Sequence, residues 1–277
     1  MAARFKAIWL FILIGFIAVP TFAQQDTSTQ EVHPLRFDKY YIYSGILDAR
    51  DQVIAPFHWN GTQWVTFGVL AAGESALIFA GGDRNIQIWA QNHRTPTTNF
   101  IENNIGDPFG DGLYPAIIIG TSYIFGCAFQ NDHLKKMAML TAKSLAISGL
   151  TTFVIKSFAE RDRPYQVTSS DPLRWNGPVG KFSFNSFPSG HTTVAFATAT
   201  SIAFIYPHPL IIPVLAYGLA TVTAMGRING NFHWGSDVLM GAAIGYFTSR
   251  LVVGHNNWWK CLQHKKVPPQ VSNENLR

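Results

Sequence analysis

Three short runs of this chain combine residue types that can handle an anion. The first is Lys156-Ser-Phe-Ala-Glu-Arg-Asp-Arg163-Pro164. Lys156 closes an apolar stretch, and Arg163 follows about two helical turns later, near the same face if the helix runs on. Pro164 ends it there. A guanidinium can take an oxyanion with two donors, and an ammonium adds a point charge. The second run is Pro188-Ser189-Gly190-His191-Thr192-Thr193. Gly190 lets backbone come close to an anion. The helix that begins here points its free N–H groups and dipole at the same place. His191 at that start could pass a proton to a leaving oxygen. The third run is Gly226-Arg227-Ile-Asn-Gly-Asn-Phe-His233-Trp-Gly-Ser-Asp237. A carboxylate four residues after a histidine can hold one ring nitrogen and leave the other free to attack. Arg227 adds a further oxyanion donor.

Each run alone has a plainer reading. Lys and Arg often decorate a solvated helix end, and Ser, Gly and Thr are ordinary helix starts. An Asp at a helix start needs no catalytic reason. The weight comes from all three standing in one order, each at an end of an apolar stretch.

Together these runs resemble the type 2 phosphatidic acid phosphatase superfamily, which also contains bacterial acid phosphatases and vanadium haloperoxidases. Its pattern is Lys-x6-Arg-Pro, then Pro-Ser-Gly-His, then Ser-Arg-x5-His-x3-Asp. This chain matches with Lys156…Arg163-Pro164, Pro188-Ser189-Gly190-His191 and Arg227…His233…Asp237. Gly226 stands where the family usually has Ser. The motifs cover about 82 residues, and the resembling helical core runs from about 113 to 253. The resemblance implies that His233 attacks phosphorus and forms a phosphohistidine, and that Asp237 orients it. His191 would protonate the leaving oxygen and then activate water. Lys156, Arg163, Arg227, Ser189 and the Gly190 backbone would bind the phosphoryl oxygens. It implies no metal and no cofactor. Phosphoryl transfer needs little beyond such fixed positive donors.

The elements that must carry these runs are apolar. Of 277 residues, 47% are apolar and only 13% charged, against about 25% charged in an ordinary soluble domain. Mean hydropathy is +0.09, too low for a chain that is lipid-facing throughout. A net charge of +5 without basic–aromatic runs gives no sign of nucleic-acid binding. Long apolar helices are predicted at 113–130, 137–155, 192–206, 209–225 and 238–253. From Thr192 to Gly226 there is no charged residue, which suits a membrane hairpin better than a solvated pair. These helices read as an all-α, membrane-embedded bundle, and the resemblance implies that the bundle is of the PAP2 type. About five spans are expected, with an extra packed or interfacial helix at 64–82, where Glu74 argues against crossing.

Outside the core, Arg4 and Lys6 precede the apolar run Ala7 to Val19. Residues 1–23 read as a signal peptide cleaved after Ala23. Residues 24–110 read as an exported N-terminal segment, 111–255 as the phosphatase core and 256–277 as a polar tail. Residues 83–112 look loop-like. Lys135 and Lys136 before one span, and Lys260, Lys265 and Lys266 after the last, mark the cytoplasmic side. Lys143 is expected to snorkel toward that side. The catalytic runs then face outward, at the periplasmic surface of a bacterial inner membrane. The expected partners are the membrane and a lipid phosphate or diphosphate. Two alternatives are a soluble periplasmic acid phosphatase and a vanadate-dependent haloperoxidase. Cys127 and Cys261 show no metal or redox spacing.

Overall fold

The computed structural model describes residues 35–167, 170–177 and 186–255. The expected signal at 1–23 and the expected tail at 256–277 lie outside the described residues. The described residues form one compact unit. Its helices are α1 (Lys39–Ile54), α2 (Gly61–Phe79), α3 (Gly82–Asn92), α4 (Pro96–Ile101), α5 (Asp107–Gly110), α6 (Leu113–Ala128), α7 (Asp132–Ala159), α8 (Gly190–Ile205), α9 (Ile211–Asn229) and α10 (Gly235–His255). A π-turn at Glu102–Gly106 joins α4 to α5.

All five predicted helices are present. The stretch 83–112, expected as a loop, is instead α3, α4, the π-turn and α5, packed against α9 and α10. Residues 35–110 of the N-terminal segment belong to that same unit. Its α1 has a capped start, where Asp38 accepts from the N–H groups of Tyr40 and Tyr41. Lys143, expected to snorkel, is buried instead. It donates to Asp48 at 3.0 Å and to Ser44 at 2.8 Å, both on α1. A buried cation stays charged only with such partners.

The centre of the bundle is α8, flanked by α7, α9 and α10. Apart from Phe196, its buried residues are small: Thr192, Thr193, Ala195, Ala197, Thr198, Ala199, Thr200, Ser201 and Ala203. α10 comes very close along Gly241, Gly245 and Ser249. A Cβ on Gly241 would stand 2.5 Å from the Ser189 carbonyl, and one on Gly245 2.5 Å from that of Thr193. Ser249 donates to the Ala197 carbonyl at 3.0 Å. Small residues every fourth position allow this approach, as in membrane helix pairs.

By length and composition, α7 and α9 can each cross a membrane, and α2 with α3 makes a third candidate bent by 66°. The expected five spans therefore reduce to two or three on this criterion. α8, at 16 residues, is too short for that criterion. α6 is apolar but only 16 residues long. Glu74 does not speak against α2 lying in lipid, because it turns into the bundle and is buried.

Candidate active site

The end of α7, the start of α8, the end of α9 and the start of α10 meet at one end of the bundle. Each carries one part of the three sequence runs. α7 stops at Ala159 because Glu160 takes a left-handed conformation, with φ at +43°. Lys156 and Arg163 are therefore not on one continuous helix face, as the spacing had suggested. Arg163 lies in extended chain ahead of Pro164. Both still act electrostatically on His233.

Ser189 caps α8. Its Oγ accepts from the Thr192 N–H at 3.4 Å and from the Thr192 hydroxyl at 2.9 Å. Its own N–H donates to the Asp237 carbonyl at 2.8 Å. This bond ties the second sequence run to the third. Lys156 reaches the same place, with Nζ 3.5 Å from the Ser186 carbonyl. A Cβ on Gly190 would lie 3.9 Å from Lys156 Cε.

His233 and Asp237 are both buried, with Nδ1 and Oδ2 3.5 Å apart. That is longer than an ordinary N–H···O bond, and His233 Nδ1 is buried without a hydrogen-bond partner. The Asp237 carboxylate is heavily supplied with donors. Oδ1 accepts from Arg161 at 2.6 Å, while Oδ2 accepts from the Trp234 N–H at 2.8 Å and from Ser186. Burial by itself would push this carboxylate up. The His233 contact and the Arg161 charge outweigh it and hold Asp237 below its ordinary value. His233 is pushed down to about 3, first by burial, with Asp237 opposing and Lys156 and Arg163 adding to the depression. It is a neutral imidazole at any ordinary pH, as an attacking nitrogen must be.

The plainer reading of the first run, a solvated helix end, fails at Arg161, which is fully buried. Besides Asp237, it donates to Ser236 at 2.7 Å, to the Pro172 carbonyl at 2.9 Å and to Asp83 at 2.7 Å. It lies over the rings of Trp175 and Trp234. Asp83, on α3, also accepts from the Ser236 N–H at 2.8 Å and hydroxyl at 2.6 Å. A buried Asp83–Arg161–Asp237 chain thus stands behind His233.

A second carboxylate missed from sequence is Asp107. Its Oδ1 lies 3.2 Å from His191 Nε2 and accepts from Arg227 Nη1. The backbone of α5 presses on the same ring. A Cβ on Gly110 would fall 2.7 Å from that of His191, so a glycine is needed there. His191 is pushed down to about 4, mainly by burial and then by Arg227. Asp107 and Asp111 oppose that shift, and Arg163 adds to it. Among the described residues, no group of three or more His, Cys, Asp or Glu is placed to hold a metal ion.

Fold and site together define an all-helical protein that gathers two histidines, a carboxylate and several cations at one end of its bundle. Residues 137–260, just under half of the chain, match the family model described as PAP2 superfamily. A lipid A 1-phosphatase of Porphyromonas gingivalis is 41% identical over 92 residues, which is 29% of this chain and 20% of that protein. The matched stretch is thus a small part of that relative. A lipid A 1-phosphatase of Rhizobium johnstonii is 26% identical over 71% of this chain and 80% of its own. A transmembrane PAP2 type phosphatidylglycerolphosphate phosphatase from Bacillus subtilis shares the fold. Its crystal structure superposes with a TM-score of 0.53 at 23% identity, over 71% of this chain and 94% of that one.

Proposed function

We propose that the protein is a metal-independent lipid phosphatase that works through a phosphohistidine at the outer face of the inner membrane. The observation that carries the reading is the buried His233–Asp237 pair, facing the charges of Lys156 and Arg163. His191 stands within reach of Arg227 and Asp107. In this scheme the free nitrogen of His233 attacks phosphorus, and the phosphorus–oxygen bond to the lipid breaks. His191 gives its proton to the departing oxygen. It then takes a proton from water as that water splits the phosphorus–nitrogen bond, releasing phosphate and restoring His233. Lys156, Arg163, Arg227, Ser189 and the Gly190 N–H stabilise the equatorial oxygens.

A lipid substrate is favoured over a soluble one by the outer surface. α2, α6, α7 and α9 leave Val65, Phe67, Ile124, Phe125, Phe153, Phe158, Val214 and Leu215 exposed, a surface suited to lipid. The names of the two lipid A 1-phosphatases make a phosphorylated saccharolipid the first candidate, with glycerolipid phosphates next. The decisive assay is phosphate release by the purified protein from lipid A, phosphatidate, phosphatidylglycerolphosphate, polyprenyl diphosphate and a soluble phosphomonoester, with and without EDTA. Turnover of a lipid phosphate, undiminished by EDTA and lost in His233→Ala, is expected. Turnover that EDTA abolishes and added zinc or magnesium restores would refute the metal-free scheme.

A further inference from the structure

The last turn of α9 holds a carboxylate that the three sequence runs leave out. Glu102, which opens the π-turn, is buried. It lies across Gly226, in the last turn of α9, and Gly230, which caps that helix. A Cβ on Gly226 would stand 3.3 Å from Glu102 Cγ, and one on Gly230 would stand 2.0 Å from its Oε1. These glycines are one helical turn apart and bracket Arg227, so the Glu102 side chain fills the slot they leave. Asn229 donates to Oε2 at 3.0 Å. Oε1 is buried and has no hydrogen-bond partner.

Two penalties fall on this group. Its carboxylate is withdrawn from water, and it sits at the negative end of a helix. Such a placement calls for a cation. Arg227 is in the same turn, over the Phe232 ring at 4.4 Å. Its Nη1 is taken by Asp107, while its Nε is buried without a partner. An orphaned acceptor and an orphaned donor of opposite charge thus share one turn. Arg94 also acts on Glu102 electrostatically, but its Nε is already committed to Asn99 at 2.6 Å. The π-turn itself is the kind of local insertion that often marks a functional position.

We propose that Glu102 is a positioning residue for Arg227. Its Oε1 takes the Nε hydrogen, directly or through one water. With Asp107 on Nη1, it fixes the plane of the guanidinium, so that Nη2 meets the phosphoryl oxygens. Gly226, where the resembling family has Ser, is then the residue that makes room for Glu102. This inference rests on the phosphatase reading.

The test uses the full-length protein in detergent, with inorganic vanadate as the phosphate mimic and phosphate release as the readout. Glu102→Gln should weaken vanadate inhibition by about tenfold, the scale of one lost hydrogen bond to a charged group. In an Arg227→Ala background the same change should move it by less than about twofold, because Glu102 acts only through Arg227. Gly226→Ser pushes on Glu102 from the other side and should reproduce the Glu102→Gln effect. It serves if Glu102→Gln does not fold, as judged by helical circular dichroism. Independent, multiplying effects of Glu102→Gln and Arg227→Ala would overturn the inference while leaving the phosphatase reading intact. So would unchanged vanadate inhibition in both Glu102→Gln and Gly226→Ser. A wild-type protein that neither released phosphate nor bound vanadate would overturn both.

Discussion

The two histidines need opposite protonation states for the proposed first step. His233 must be neutral to attack, and His191 must carry a proton to give away. With His233 pushed down to about 3 and His191 to about 4, the free enzyme meets both conditions best in acid. kcat/KM reports the free enzyme. For a soluble phosphomonoester it should therefore rise as pH falls from about 8 to about 5. Asp107 favours the charged form of His191, so Asp107→Asn should lower that pKa and move the alkaline limb to lower pH. Each unit of movement costs about tenfold in activity at neutral pH. A limb that stayed put or moved upward would refute the pairing. Behind the other histidine, Arg161→Lys keeps the charge but loses the fork that serves Asp83, Ser236 and Asp237. We expect kcat to fall by about 100-fold, with KM and vanadate inhibition little changed. An equal loss in binding would mean that Arg161 shapes the phosphate pocket itself. Lys156, Arg163, Ser189, Gly190, His191, Arg227, His233 and Asp237 were legible in the sequence because their types recur at short fixed spacings. Arg161, Asp83, Asp107 and Glu102 were not. Their meaning lies in partners 76, 78, 120 and 127 residues away, which no local pattern reports.

At the scale of elements, uniform apolar length made α6 to α10 readable, whereas α1 follows the opposite rule. Its buried residues are Tyr41, Ser44 and Asp48, a polar stripe at helical spacing. Ile42, Tyr43, Ile46 and Val53 face outward. A search for an inward apolar stripe passes over such a helix. α3 to α5 were missed for a different reason. They are short and polar, and their order comes from packing on α9 and α10 rather than from their own periodicity. The α8–α10 contact offers a test of how elements set the site. Gly245→Val would drive a side chain into the Thr193 carbonyl, costing about 1–3 kcal/mol by overpacking. It should also loosen the Ser189–Asp237 backbone bond two turns away and cut kcat. Gly218 on α9 has nothing within 4 Å of its would-be Cβ. Gly218→Ala should be neutral or stabilising by about 0.5–1 kcal/mol. Thermal unfolding and phosphate release of the two variants would separate these outcomes. Equal effects would mean that the close approach of α10 does not set the site.

For the whole molecule, the polar-inside, apolar-outside α1 agrees with the exposed faces of α2, α6, α7 and α9. A chain built to meet water would bury Ile and Phe ahead of Ser and Asp. α7 also fixes a direction. Lys156 is near its last turn, beside the site, while Lys135 is in its first, paired with Asp132 at 2.6 Å. The helix between them is about 30 Å long, the thickness of a bilayer's hydrocarbon core. The basic pair Lys135 and Lys136 is therefore one membrane thickness away from the catalytic end, and the positive-inside rule puts that pair in the cytoplasm. On the proposed topology the site opens to the periplasm. Single cysteines in a background without Cys127 and Cys261 would decide it. A cysteine at position 173, an exposed residue next to the carbonyl that holds Arg161, should react with an impermeant thiol reagent in intact spheroplasts. One at position 136 should react only after lysis. The reverse pattern would invert the protein in the membrane and place its substrate in the cytoplasmic leaflet. Recovery of the protein in the soluble periplasmic fraction would instead favour an acid phosphatase built on the same helices, with the roles of His233 and His191 unchanged.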